Sequence, residues 1–296
     1  MLKYSRIQEE AADRNALLYL NRIRYPSDGL VKLLESFEVE RRGMKGQINE
    51  YLLSHPISSK RISYLVNNSN SKFSNKKFNS KLQPKMTMVL AKLEGFTQDP
   101  QEVILKYKND SSKYAKYALS VAYYRNSNID KSLEAINYLI SEEKDNGFFH
   151  ELKAQILYES GRVKDAIISY QDAVDTLPGR YAIDSRIRIA QSILSITKND
   201  RDLIDFAIKN LSISRDYEVN NPQIYRQLHM AYGKQGNKFL SYYNYANYKY
   251  LTRDLAAALK YAKKADEIKS EKISSGDKLK LEDLIQTIKT DKESKK

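Results

Sequence analysis

The sequence predicts an all-α chain, a short helical segment followed by a solenoid of stacked helix pairs. Ten Gly and six Pro in 296 residues are too few for a turn-rich β fold. Apolar residues recur at three- and four-residue spacing rather than in alternation. From about Lys113 a pattern of small and aromatic residues returns at intervals of about 34 residues.

The first helix is expected from about Ser5, a candidate cap, to Ile23, within the run Gln8-Glu9-Glu10-Ala11-Ala12-Asp13-Arg14 and beyond. Ile7, Ala11, Leu17, Leu18 and Leu20 imply that much of it is buried. Glu9 and Asp13 lie four apart, so both carboxylates project from one face. Such a pair on a packed helix is costly unless a metal, a cation or hydrogen bonds satisfy it. Glu10 and Arg14, by contrast, have the spacing of a plain surface pair.

Tyr25-Pro26-Ser27-Asp28-Gly29 is expected to turn. Leu30, Leu33, Leu34, Phe37 and Val39 then recur at helical spacing until Arg41-Arg42-Gly43 breaks the helix. Ile48, Tyr51, Leu52 and Leu53 lead into a loop at His55-Pro56, and Ile62 to Val66 form a short helix. From Asn67 to Lys81 the composition shifts to Asn, Ser and Lys, which marks a linker. Pro84 to Phe96, with Met86, Met88, Val89, Leu90 and Leu93, starts a second helical domain.

The clearest repeat unit is Gly147 to Pro178, with Ala154, Gly161, Ala166, Tyr170, Ala173 and Pro178 at key places. Tyr123, Ser127, Ser132 and Ile136 hold equivalent places one unit earlier. A looser copy surrounds Ala190, Ala207 and Leu211, with an extended connection near Asn199. Tyr225, Leu228, Tyr232, Gly236 and Tyr245 mark a fourth, and Ala258, Ala262 and Ala265 a partial fifth. This spacing resembles the tetratricopeptide repeat. There small residues let two antiparallel helices approach, and stacking buries a continuous core. On that assignment His150 and His229 fill packing places rather than ligand places. The helices from about Leu255 to Ile288 cap the array, and the charged stretch Asp291 to Lys296 is expected to fray.

Glu9-Glu10-Ala11-Ala12-Asp13 has the form Glu-x-x-Ala-Asp, and His55-Pro56 is followed by Arg61-Ile62. Both motifs, in this order, resemble zinc metallopeptidases of the HtpX and BepA type. The resemblance implies that Glu9 is a zinc ligand and that Asp13 orients a ligand histidine. It also implies that His55 steadies an oxyanion beside the metal and that Arg61 helps to hold the site. The same family takes two zinc ligands and its general base from His-Glu-x-x-His. Here the three histidines, His55, His150 and His229, form no such motif. His150-Glu151-Leu152-Lys153-Ala154 begins like it but has Ala154 at the second ligand place. One carboxylate cannot make the three-ligand, open-position site that hydrolytic zinc requires. The chain alone is therefore expected to be inactive and to bind no zinc.

The net charge of +13 comes from dispersed Lys rather than an Arg-rich stripe, so nucleic acid is disfavoured as a partner. No apolar run approaches the ~20 residues of a membrane span. The absence of Cys excludes disulfides and thiolate metal sites.

The expected organisation is a metallopeptidase remnant over 1–66, a linker over 67–83, the repeat domain over 84–290 and a disordered tail over 291–296. Two functions fit. One is the rear part of an envelope protease of protein quality control, holding client or partner proteins on the concave repeat face and completed by an upstream protease fragment. The other is a non-catalytic repeat scaffold or chaperone-like adaptor. The resemblance places the protein in the periplasm. The start Met1-Leu2-Lys3-Tyr4-Ser5-Arg6 has no signal-peptide core, which suits the cytoplasm if the chain is the whole product.

Overall fold

The computed structural model of the protein describes residues 2–43, 59–69, 83–270 and 273–293, with side chains described from 7 to 39 in the first stretch. The described residues contain fifteen α-helices and no strand. The chain divides into two compact units, Met1–Thr87 and Met88–Lys296.

The first unit contains α1 (Leu2–Arg22), α2 (Asp28–Gly43) and α3 (Ser59–Asn68). Helix α1 starts before Ser5, which therefore lies inside it rather than at its start. It closes through Arg24, a non-glycine residue at φ 56°, with Tyr25 N–H donating to Leu20 O at 2.8 Å. The turn after it is shorter than expected, because Asp28 and Gly29 already belong to α2. That helix also continues through Arg41 and Arg42 to Gly43, since two arginines are good helix formers and one terminal Gly costs little.

Among the described residues a small core holds these helices. Leu17, Leu34 and Leu65 are buried together, with Leu30, Val31, Phe37 and Ile62 against them. The expectation that much of α1 is buried holds for Leu17 and in part for Leu20 but fails for Ile7, Ala11 and Leu18, which are exposed, as are Tyr19 and Ile23. The three described helices of this unit are too few to surround every apolar face. The stretch around Ile48 to Leu53 and most of the Asn/Ser/Lys-rich segment lie outside the described residues.

Helix α4 (Gln83–Thr97) crosses the division between the units. Its Gly95 lies so close to the next layer that a Cβ there would sit 2.6 Å from Val121 Cβ and 3.0 Å from Ala118 O. Helix α5 (Pro100–Tyr107) follows, with Pro100 at its first turn and Asp99 accepting from the N–H groups of Gln101 and Glu102.

Ten further helices run in order. They are α6 (Lys113–Arg125), α7 (Ile129–Glu142), α8 (Gly147–Glu159), α9 (Val163–Thr176), α10 (Ile183–Ile196), α11 (Arg201–Tyr217), α12 (Pro222–Gln235), α13 (Lys238–Leu251), α14 (Leu255–Asp266) and α15 (Ser275–Glu293). Each packs mainly on the helices before and after it, which makes the unit a tetratricopeptide-like solenoid. Ser112, Asn128, Asp200, Asn221, Asn237 and Asp254 each accept a backbone N–H at a helix start. Helix α15 continues to Glu293, and Tyr250 Oη donates to Asp291 at 2.9 Å.

The tight turns inside the pairs share one geometry. Ser127, Gly161, Gly236 and Arg253 all have positive φ, from 60° to 84°. Seven residues before each stands Ser120, Ala154, His229 or Ala246, and five after it Ser132, Ala166, Ser241 or Ala258. These are the facing places of each helix pair. In the first pair Ser120 and Ser132 each donate to the other's carbonyl, at 3.1 and 2.7 Å. The alanines in the second and last pairs are fully buried. In the fourth copy His229 Nδ1 lies 2.9 Å from Ser241 Oγ and 3.1 Å from Ser241 O. The third copy lacks the tight turn and joins α10 to α11 through Thr197 to Asp200, yet Ala190, Ala207 and Leu211 are fully buried.

The fifth copy is not a separate pair. Its Ala258, Ala262 and Ala265 lie on α14, and the helix that pairs with α14 across Arg253 is α13. Helix α13 is thus both the second helix of the fourth copy and the first helix of the fifth. The apolar core divides at the same place. One cluster runs from Ala91 to Ala231 on α12, and another begins at Phe239 on α13 and ends at Ile288 on α15. Between them Gln227, Ser241 and Asn244 are buried polar side chains.

Candidate functional site

The sequence places Glu9 and Asp13 one turn apart on α1, and the structure faces both toward α3. Asp13 stands one turn before buried Leu17, and Arg61 one turn before buried Leu65, so the leucine contact sets the polar residues opposite each other. Arg61 Nε donates to Asp13 Oδ2 at 2.7 Å and Arg61 Nη2 to Asp13 Oδ1 at 2.9 Å. The same Nη2 lies 3.1 Å from Glu9 Oε2. Side-chain exposure is 6% for Arg61, 7% for Asp13 and 19% for Glu9.

A fork-on-fork pair of this kind is the geometry in which arginine binds carboxylate most strongly. The hydrogen bonds to Asp13 raise the Arg61 guanidinium above its ordinary value, with the Asp13 and Glu9 charges adding to them and burial opposing. Two carboxylates thus share one guanidinium. Beside them a shallow cavity of about 170 Å³ is lined by Glu10, Asp13, Arg14, Lys60, Arg61 and Tyr64. Glu10 and Arg14 form the plain surface pair that their spacing suggests, at 4.0 Å and with both side chains exposed. The Arg14 guanidinium lies 5.6 Å from the centre of the Tyr64 ring.

The structure therefore brings together Glu9, Asp13 and Arg61, three of the four residues singled out from the sequence. The fourth, His55, lies outside the described residues. The shared guanidinium is what motif spacing alone does not show, because it depends on how α3 returns against α1.

The donor set does not fit a zinc ion by itself. Among the described residues no group of three His, Cys, Asp or Glu side chains could hold a metal. Both carboxylates of the cluster already face Arg61, whereas a catalytic zinc takes three protein ligands and an open position. The other histidines are engaged in the repeat unit. His150 Nε2 donates to Lys144 O at 2.8 Å, and His229 faces Ser241. Glu151, which follows His150, is partly buried with its carboxylate 3.8 Å from Lys92 Nζ. Burial holds that carboxyl above its ordinary range, against the pull of Lys92.

Residues 1–69 match the model of Peptidase family M48, a span that includes Glu9, Asp13, His55 and Arg61 and less than a quarter of the chain. No curated protein matches the chain. Among solved structures it is similar to MamA of AMB-1, at 15% identity over 57% of this chain and 97% of that one, with a TM-score of 0.48. It is also similar to YrrB, described as a TPR protein with an unusual peptide-binding site, at 13% identity, 60% and 90% coverage and a TM-score of 0.48. A further similar structure is PilW, described as a widely conserved type IV pilus biogenesis factor, at 16% identity, 71% and 94% coverage and a TM-score of 0.46.

Proposed function

We propose that this protein is the acidic-helix part of a zinc metalloendopeptidase of the HtpX and BepA type, joined to a repeat array that holds client or partner proteins for protein quality control in the periplasm. The observation that carries this is the buried Glu9–Asp13–Arg61 cluster, inside the span that matches a metallopeptidase family. In this reading Glu9 is a metal-ligand position, Asp13 orients a ligand histidine, and His55 and Arg61 support the oxyanion. The remaining ligands must come from another polypeptide segment, because this sequence has no His-Glu-x-x-His.

The exposed apolar side chains of α1, Ile7, Leu18, Tyr19 and Ile23, support a missing neighbour on that helix. None of the described helices is long and apolar enough to cross a membrane. The first measurement is zinc content and casein hydrolysis of the chain, alone and extended by a segment carrying His-Glu-x-x-His. Only the extended form should hold one zinc and cleave, and Glu9→Gln should abolish both. One equivalent of zinc with cleavage by the short chain would refute the reading.

A second reading has its own support. Arg61 pairs with both carboxylates from within the chain and offsets one of their two charges, so a metal is not the only way to hold them. On that reading the protein is a non-catalytic scaffold or chaperone-like adaptor. An extended form that folds but stays inert toward casein and zinc would favour it.

A further inference from the structure

Seven tyrosines lie between Tyr225 and Tyr250, and the fold sorts them into two groups. Tyr225 Oη donates to Val219 O and Tyr250 Oη to Asp291, while burial raises the hydroxyls of Tyr232 and Tyr243 above their ordinary range. These four hydroxyls are bonded within the fold or raised by burial. Tyr242, Tyr245 and Tyr248 point away from Tyr243 and Tyr250 around α13; like Tyr232, Tyr243 and Tyr250 they are partly exposed, and Tyr242 also rests against the C-terminal apolar cluster.

Their rings form one array with partly exposed Tyr261 of α14. Tyr245 meets Tyr261 edge-on at 4.4 Å, and Tyr242 lies 6.0 Å from Tyr261 and Tyr248 5.8 Å from Tyr245. Lys249 Nζ stands 5.6 and 5.7 Å from the Tyr245 and Tyr248 ring centres. Lys264 Nζ stands 5.7 and 5.1 Å from those of Tyr242 and Tyr261.

The array owes its exposure to the double role of α13. Four residues past the small residue of the second helix stand Ile136, Tyr170 and Ala262 in three copies, all buried. In the fourth copy that place is Tyr245, and it is partly exposed. A repeat place that is buried in three copies is here partly exposed, with the Tyr245 ring 4.5 Å from that of His229.

We propose that this array docks an acidic, extended peptide segment of a partner protein. Its partly exposed phenol hydroxyls and ammonium groups can donate hydrogen bonds. None of the four phenol hydroxyls has a hydrogen-bond partner among the described residues, and Lys264 has no carboxylate partner there. Lys249 is partly exposed and shares Asp254 at 3.3 Å. Carboxylates answer such a surface, and the rings beneath add apolar contact area. Stacked bases answer it less well, because they need free ring faces. Here neighbouring rings and the two ammonium groups occupy those faces. The chain's net charge of +13 favours approach of an anionic partner.

The proposal rests on the reading that the repeat unit holds partner proteins. It is tested by titrating the full chain with a short fluorescein-labelled peptide of alternating Glu and Ser. The same peptide with Gln for Glu, and an oligouridylate, serve as comparisons. The acidic peptide should bind roughly tenfold or more tighter than the Gln peptide. Lys264→Ala, Tyr242→Phe and Tyr261→Phe should each weaken it roughly two- to tenfold without changing the melting curve. Tyr138→Phe and Tyr217→Phe, exposed elsewhere on the repeats, should leave it unchanged. Binding that ignores the array variants would overturn the site but keep the repeats as a peptide holder. No binding of either peptide would count against both. Tighter binding of the oligouridylate would replace the peptide with nucleic acid.

Discussion

Arg61→Ala is expected to destabilise the first unit by about 3–5 kcal/mol, the cost of leaving buried carboxylate charge without its partner. Asp13 loses two hydrogen bonds at once and Glu9 its ion pair, in a place where the three side chains are at most 19% exposed. The unit has little to absorb the loss, since three leucines form its described centre. Limited proteolysis should then cut within α1 and α3 while the repeat unit stays whole, and circular dichroism should lose only part of its helical signal. Arg61→Lys should recover a fraction, because an ammonium keeps the charge but cannot form the two-pronged contact. If Arg61→Ala is cut no faster than the parent chain, the cluster does not hold α1 to α3.

Phe149→Ala should cost the repeat unit about 3–5 kcal/mol, measured as a lower urea midpoint. Phe149 is 1% exposed and meets the Tyr117 ring edge-on at 5.1 Å, so its removal leaves a cavity between α6 and α8. Phe148, next in sequence and 46% exposed, provides the control. Phe148→Ala should change stability by no more than about 0.5 kcal/mol. Equal effects at the two positions would contradict the helix orientation that the repeat imposes.

The contrast between Phe148 and Phe149 also shows what was legible in the sequence. Once Ala154, Gly161 and Ala166 fix the repeat register, the inward face of α8 and α9 follows from helical geometry. Glu9, Asp13 and Arg61 were legible as motif residues. Their joint contact was not, because 48 residues separate Asp13 from Arg61 and local periodicity says nothing about that closure. Helix α5 is eight residues long, too short for its period to stand out, although Asp99-Pro100 is a sound start signal. The burial of α1 was overestimated because apolar content reports what a helix can cover, and in this unit few surfaces lie opposite. The double role of α13 was hidden because Tyr245 and Ala262 each suit a repeat when taken alone. Only the spacing between the turns at Gly236 and Arg253 reveals one shared helix.

That shared helix bears on how the solenoid opens. Folding cooperativity passes along a stack through nearest-neighbour contacts, and a weak contact breaks it into blocks. Between α12 and α13 buried polar groups interrupt the apolar core beside the His229–Tyr245 ring pair, and on α13 Asn244 Oδ1 finds no hydrogen-bond partner among the described residues, which costs stability. Amide hydrogens of α13 to α15 should therefore exchange with solvent at a lower free energy, and as a group, while those of α8 and α9 exchange only on unfolding of the longer block. A ligand bound across α13 and α14 would slow exchange in the C-terminal block alone, by mass action on its closed form. The end of the array would then act as a fold-on-binding arm carried by a stable stem.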